Sequence, residues 1–171
     1  MELIKANQLW KSSFQEMYQD FLSHDPENAN FYRDGVLDYS RYVKSLEDES
    51  QGINLKSGYV PCSHFWLIEE KSILGVIRIR HHINNEFLSF EGGHIGYDVA
   101  PSHRGKGHGK TMLRLALPAA KALGIQTALI TADEDNYASR KIIEANGGVF
   151  DKVIQGKVFP EPIARYWLKI E

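Results

Sequence analysis

The chain has 171 residues, 43% of them apolar and 25% charged, with a formal net charge of −2. That length suits one domain, residues 1–171, able to bury a sizeable core, and the composition is that of a globular protein. The near-zero charge removes any general electrostatic grip on nucleic acid or a membrane surface, so neither is an expected partner.

In chain order, MELIKANQLW carries no apolar run of the kind a signal peptide needs. Leu9, Trp10, Phe14, Met17, Phe21 and Leu22 recur at three and four residues, which predicts a helix over Leu9–Leu22. HDPENANFYRDG breaks that pattern at Pro26 and Gly35. A second helix is predicted over Ser40–Glu49, with Tyr39, Tyr42, Val43 and Leu46 turned inward, and GINLKSGYVP reads as a loop. Cys62 is the single cysteine, so no internal disulfide can form; this fits a reducing, cytosolic setting. It has no neighbouring catalytic partner and reads as inert.

The period then changes. His64–Glu70 and Ile73–His81 are rich in β-branched and aromatic residues and predict a hairpin. Arg78 and Arg80 share one face of the second strand, where they would meet solvent or an acidic substrate group. HINNEFLSFEGG is a connection, and His94–Ala100 a strand ended by Pro101. Gly109–Leu123 predicts a helix with an apolar band of Met112, Leu113, Leu115, Ala116, Ala119, Ala120 and Leu123, kinked at Pro118 and capped by Gly124. Gln126–Ala132 reads as a buried strand. Asn136 caps a short helix, Tyr137–Asn146, and Val149–Phe159 and Ile163–Ile170 are final strands. No stretch approaches the roughly 20 apolar residues of a membrane helix. The order predicts an α/β fold with a mixed central sheet and crossover helices.

The chemistry concentrates in HRGKGHGKTML, His103–Leu113. A strand ending in a glycine-rich turn that opens a helix is an anion site, because the first helical N–H groups have no internal partner. Gly105, Gly107 and Gly109 remove Cβ atoms that would hold a phosphate away, and Arg104, Lys106 and Lys110 add positive charge. A nucleotide P-loop would need glycine at position 104, where arginine stands. The dinucleotide fingerprint fails on the spacing of Gly105, Gly107 and Gly109. The histidines show no zinc-type spacing with cysteine, so no metal is expected.

RGKGHG, Arg104–Gly109, resembles the Arg/Gln-x-x-Gly-x-Gly/Ala loop of the GCN5-related N-acetyltransferases, the GNAT superfamily. IGYDVAPSHRGKGHGKTML is similar to that family's fourth strand, diphosphate loop and following helix, and NYASRKIIEANGG to its next helix; the resemblance spans Gly92–Phe150. It implies acetyl-CoA as co-substrate. The main chain of Arg104, Gly105, Lys106, Gly107, His108, Gly109, Lys110 and Thr111 would hold the CoA diphosphate. Tyr97 and Val99 would lie along the pantetheine arm, between two strands that splay apart, with Asn136 and Ser139 facing that arm from the following helix. Asn136 is also read as the helix cap.

The implied reaction is direct acyl transfer to an amine, and it has three needs. A base must take the amine proton; His94 and Glu91, at the start of the fourth strand, are the candidates. A donor must meet the carbonyl oxygen, for which the Val99 N–H is the candidate. The thiolate gains from an acid, but Ile143 stands where family members often carry tyrosine, so Tyr166 and Tyr137 are the substitutes. The acceptor site implied by the fold contains Phe31, Tyr32, Tyr39, Tyr42, Trp66 and Tyr166, with Asp25, Glu27, Asp34 and Asp38 nearby, which suits a cationic small-molecule amine. Acetylation of a protein N-terminus or lysine, and a CoA-binding sensor without turnover, are the alternatives. Family members are often dimers, so the resemblance allows a homodimer.

Overall fold

A computed structural model describes all of residues 1–171. Seven strands form one sheet: β1 (Glu2–Lys5), β2 (Cys62–Glu69), β3 (Ser72–Arg80), β4 (Ile95–Val99), β5 (Thr127–Asp133), β6 (Val149–Gln155) and β7 (Pro162–Lys169), in spatial order β1-β2-β3-β4-β5-β7-β6. Every neighbouring pair is antiparallel except β4 and β5. The sheet is mixed, with its one parallel junction near the centre. No helix is long and apolar enough to cross a membrane.

One face of the sheet carries α1 (Lys11–His24), the short helices α2 (Pro26–Ala29) and α3 (Arg33–Leu37), and α4 (Tyr39–Ser50). Phe14 is fully buried there, with its ring centroid 5.7 Å from Trp66, 5.5 Å from Tyr39 and 5.2 Å from Tyr42. Burying side chains of this kind stabilises the fold by about 1.5–3 kcal/mol each. Gly35 allows the closure: a Cβ there would lie 2.5 Å from the Phe14 ring. It reads as a loop breaker in sequence but serves helix-to-helix contact.

The opposite face carries α5 (His108–Ala122) and α6 (Tyr137–Glu144). Met112, Leu113, Ala116 and Ala120 of α5 and Ile143 of α6 pack on Ile77, Ile79, Ile95, Ala128 and Ile130. Ile77 and Ile79 of β3, and Ala128 and Ile130 of β5, are alternate residues, as the pleat requires of one face.

Three expectations change. The first helix begins at Lys11, after a 3-10 turn over Gln8–Trp10, and Leu9 is almost wholly exposed. The stretch after it holds α2 and α3 rather than a simple loop; Asp25 caps α2, with Pro26 at its first position. HINNEFLSFEGG contains a π-turn, Leu88–Gly92, closed by Gly93 N–H donating to Leu88 O at 2.7 Å.

Candidate active site

The central geometry is the opening between β4 and β5. The backbone N–H of Arg80 donates to His94 O at 2.8 Å, and that of Ala100 to Leu74 O at 2.9 Å. Even-numbered residues of β4 therefore address β3. By alternation, Ile95, Tyr97 and Val99 turn their N–H and C=O groups toward β5. Yet β4 and β5 share one bridging pair, Ile95 with Ile130. Beyond it the strands diverge, and the inner edge at Tyr97 and Val99 has no strand partner. Arg104 Nε donates to the Val99 carbonyl at 2.9 Å, which leaves the Val99 N–H for another acceptor.

At the mouth of the opening β4 runs through a 3-10 turn, Pro101–His103, into the glycine loop. Gly105 has φ +74° and Gly107 φ +82°, both left-handed, and no atom lies within 4 Å of the position a Cβ would take at either. Gly107 is the N-cap of α5 and supplies no side-chain cap, so the first N–H groups of that helix point outward together. Gly109 serves packing: a Cβ there would lie 2.5 Å from Ile142 Cδ1 and 3.3 Å from Val99 Cγ2. His108 Nδ1 is buried with no hydrogen-bond partner, and its ring lies 6.1 Å from that of His103. Lys110 is exposed on the first turn of α5, with Thr111 beside it, and Thr111 N–H donates to Gly107 O at 3.1 Å. An outward fan of main-chain donors at a helix start fits the diphosphate of a CoA-type ligand.

Two of the expected loop cations are engaged by the protein itself. Arg104 Nη2 meets Asp25 Oδ2 at 2.6 Å, tying the loop to the α1–α2 corner. Lys106 Nζ donates to Ser102 O at 2.9 Å. Their side chains brace the loop; the main chain and Lys110 face out. Across the opening, Tyr97 Oη meets Ser139 Oγ at 2.9 Å and Ser139 O at 3.1 Å, linking β4 to α6. Asn136 Oδ1 accepts from Ser139 N–H at 3.0 Å, so it is the cap of α6 and exposes the rest of its amide.

The three candidate acid–base residues need correction. Glu91 is buried, and its carboxylate accepts main-chain N–H groups from Lys157 at 2.6 Å, Val158 at 3.1 Å and Phe159 at 3.1 Å. Burial alone would raise its pKa, but these donors outweigh it and hold the carboxyl below the usual range. A carboxylate so engaged organises the β6–β7 connection and is a poor base. His94 is buried, and its Nδ1 accepts the Leu129 N–H at 3.0 Å. Its basic nitrogen is thereby occupied; burial, then the charges of Arg80 and His82, push its pKa down. Tyr166 is fully buried on the α5–α6 side, donating to Glu144 Oε1 at 2.8 Å and accepting from Arg140 Nε at 2.9 Å. It sits under α6 and does not reach the cleft. Ile143 is buried in the same core, and Tyr137 is exposed.

On the face that carries α1–α4, β3 and β4 hold a polar group that motif reading missed. Asp98 Oδ2 accepts from Tyr32 Oη at 2.6 Å and from Arg78 Nη2 at 2.7 Å. The Phe31 ring lies 5.9 Å from the Arg78 guanidinium. Glu49, Cys62 and His64 bring one donor atom each within 4.8 Å of one another, and His64 Nε2 meets Glu49 Oε2 at 2.7 Å. Burial pushes the Cys62 thiol up to about 12, with Glu49 adding to it and Arg80 and Arg78 opposing. Those guanidinium groups make the surroundings of this trio unfavourable to a cation.

A protein-family model described as an acetyltransferase (GNAT) domain matches residues 11–149. The chain belongs to the GNAT acetyltransferase family. No curated protein matches the sequence of this GNAT acetyltransferase. Among solved structures it is similar to the microcin C7 self-immunity acetyltransferase MccE in complex with acetyl-CoA and AMP, with a TM-score of 0.68 and 15% identity over 98% of this chain and 91% of that one. It is also similar to RimL, the ribosomal L7/L12 α-N-protein acetyltransferase in complex with coenzyme A, at 0.66 and 14% over 98% and 93%. A third is yncA, a putative acetyltransferase from Salmonella typhimurium with acetyl-CoA, at 0.59 and 15% over 99% and 93%. These likenesses establish the GNAT fold across nearly the whole chain. What sequence could have offered for the missed residues is alternation: Gly96 and Asp98 share a face of β4, and β3 sets Arg78 opposite Gly96.

Proposed function

We propose that this GNAT acetyltransferase uses acetyl-CoA as co-substrate and moves its acetyl group to the amine of a small molecule. The observation that carries the reading is the β4–β5 opening, with a single bridging pair at Ile95 and Ile130 and an uncapped helix start at its mouth. Main-chain N–H groups at the start of α5 would hold the diphosphate. The inner edge of β4 at Tyr97 and Val99 would take the pantetheine amides as an added strand would. MccE, RimL and yncA, solved with acetyl-CoA or coenzyme A, support that choice of ligand.

Acetyl-CoA supplies an activated thioester. The amine nitrogen forms a bond to its carbonyl carbon, the carbon–sulfur bond breaks, and the amine proton leaves to water. Val99, next to the diphosphate loop, has only its N–H to give the pantetheine arm; the thioester is the arm's far end, so the donor to the developing oxyanion would be the next inner-edge N–H, that of Tyr97, rather than the Val99 candidate. With Glu91, His94 and Tyr166 committed elsewhere, Asp98 is the carboxylate on the α1–α4 face of β4. Its Oδ2 takes Tyr32 and Arg78, and Oδ1 remains to orient the amine. A CoA thiolate is a stable enough leaving group to depart without the tyrosine that Ile143 replaces.

Acetylation of a protein N-terminus is the second reading, supported by likeness to RimL. Calorimetry with acetyl-CoA tests the binding, and thiol release with small amines and N-terminal peptides tests the acceptor. Binding followed by release with small amines is expected. Failure to bind acetyl-CoA overturns the reading, and release only with peptides replaces it with the second one.

A further inference from the structure

On the α1–α4 face, β3 carries two guanidinium groups, and only one has a carboxylate. Arg78 pairs with Asp98 at 2.7 Å. Arg80 rests Nη1 on the carbonyls of Gly92 and Gly93 at 3.3 and 3.2 Å and pairs with no carboxylate. Glu49, the other carboxylate on this side, is taken by His64 at 2.7 Å. The two arginines converge on one bare spot of β4. A Cβ at Gly96 would lie 3.6 Å from Arg78 Nε and 4.0 Å from Arg80 Nη1. Two like charges over one glycine repel each other. Burial, and then the charge of Arg78, push the Arg80 pKa down even though Cys62 and Glu49 oppose the shift.

The Gly92 and Gly93 carbonyls engage Nη1 of Arg80, but no carboxylate answers its charge beside the second guanidinium. An anion resolves the repulsion. A guanidinium fork matches the two oxygens of a carboxylate, and Gly96 removes the side chain that would stand between the forks. Asp98, on the same strand face, offers the complementary charge for an ammonium.

We propose that Arg80, with Arg78 beside it, forms the subsite for a carboxylate of the acceptor, so that the acceptor is an α-amino acid rather than a simple amine or a protein N-terminus. The proposal rests on the acetyl-transfer reading and names the substrate class of that site. Asp98 orients the α-amino group and the Arg80 fork holds the carboxylate. A phosphate would use the same forks, and that source is distinguished below.

The test compares matched acceptors by thiol release: histidine against histamine, tyrosine against tyramine, and serine against both ethanolamine and phosphoethanolamine. The amino acid of at least one pair is expected to exceed its decarboxylated partner by about tenfold or more in kcat/KM. Arg80→Gln should cut that amino acid's kcat/KM by about 10- to 100-fold, chiefly through KM, and change its partner by less than about threefold. Calorimetry should show unchanged acetyl-CoA affinity in the variant. Gly96→Ala, whose methyl group meets the arginines at ordinary contact distance, should keep the fold and show the same selective loss. Preference for the decarboxylated amines, or an equal loss on both members of a pair, overturns the proposal. So does preference for phosphoethanolamine over serine, which assigns the forks to phosphate. If acetyl-CoA binds but no acceptor releases thiol, the turnover reading fails separately. The subsite is then read by calorimetry of histidine, tyrosine and serine on CoA-saturated protein: binding lost in Arg80→Gln supports it, and no binding to the wild type overturns it.

Discussion

His94 and Leu129 are clasped in both directions, once through the main chain and once through the imidazole: His94 N–H donates to Leu129 O at 2.7 Å, and Leu129 N–H donates to His94 Nδ1 at 3.0 Å. This clasp closes the narrow end of the β4–β5 opening, one residue before the Ile95–Ile130 bridge. It also fixes the neutral tautomer, with the proton on Nε2, because a protonated Nδ1 cannot accept.

His94→Ala therefore tests structure rather than proton transfer. Losing the acceptor for a buried N–H costs about 1–3 kcal/mol, so the denaturation midpoint should fall by that equivalent. Turnover per folded molecule should keep the wild-type pH profile. The depressed pKa sets the acid behaviour. His94 contributes stability above its unfolded value of about 6.5, and that contribution is lost as pH falls through the lower folded value. Urea denaturation at pH 7.5 and 5.5 should show a larger acid loss in the wild type than in the variant. A flattened pH profile of turnover would restore His94 as a base.

Gly107→Ala separates ligand contact from packing. At φ +82° an alanine costs about 1–2 kcal/mol of backbone strain, and with no atom within 4 Å of the new methyl group it causes no clash. The fold should persist while the methyl group stands in the path to the first N–H groups of α5. Calorimetry should show acetyl-CoA affinity reduced by about tenfold or more. Unchanged affinity would count against the loop as the diphosphate site.

The legible and illegible parts of this chain divide by the range of the forces involved. The glycine loop, the α5 band around Met112 and Leu113, and the Asn136 cap are local, and sequence spacing places them to within a residue or two. β1 is not legible, because Leu3 and Ile4 are adjacent and show no alternation; it is a strand only because β2 offers an edge. Arg104 reads as a phosphate cation, but its partner Asp25 lies 79 residues away along the chain. Glu91 and His94 read as bases on position alone, and the main-chain donors that occupy them come from the β6–β7 connection and from β5. Motifs locate a site; long-range hydrogen bonds decide which of its groups are free to react.

Glu91→Gln should loosen the connection between β6 and β7. The carboxylate accepts three successive main-chain N–H groups with two oxygens; a glutamine has one acceptor oxygen and presents its own N–H₂ to those donors. Cleavage by a nonspecific protease near Lys157–Phe159 should accelerate in the variant. The lowered pKa means that Glu91 stabilises the fold above the ordinary carboxyl range, and that this is lost as pH falls through the depressed folded value. The wild type should show the same protease sensitivity only below that range, and a variant as resistant as the wild type at neutral pH would refute the role.

Tyr166→Phe asks whether this phenol serves as the acid that Ile143 cannot be. Its hydroxyl is buried beneath α6, donating to Glu144 and accepting from Arg140. Burial leads the causes that raise its pKa, with the Glu144 bond and charge adding to it while Arg140 opposes. Removing the oxygen leaves two partners that water can reach in part, so the loss should be about 1 kcal/mol of stability. Because the ring remains in the core and the hydroxyl is engaged by Arg140 and Glu144, kcat should stay within about twofold of the wild type. A fall in kcat of a hundredfold or more, with stability kept, would place Tyr166 in the reaction after all. It would then require α6 to move, so that the phenol exchanges Arg140 and Glu144 for the cleft.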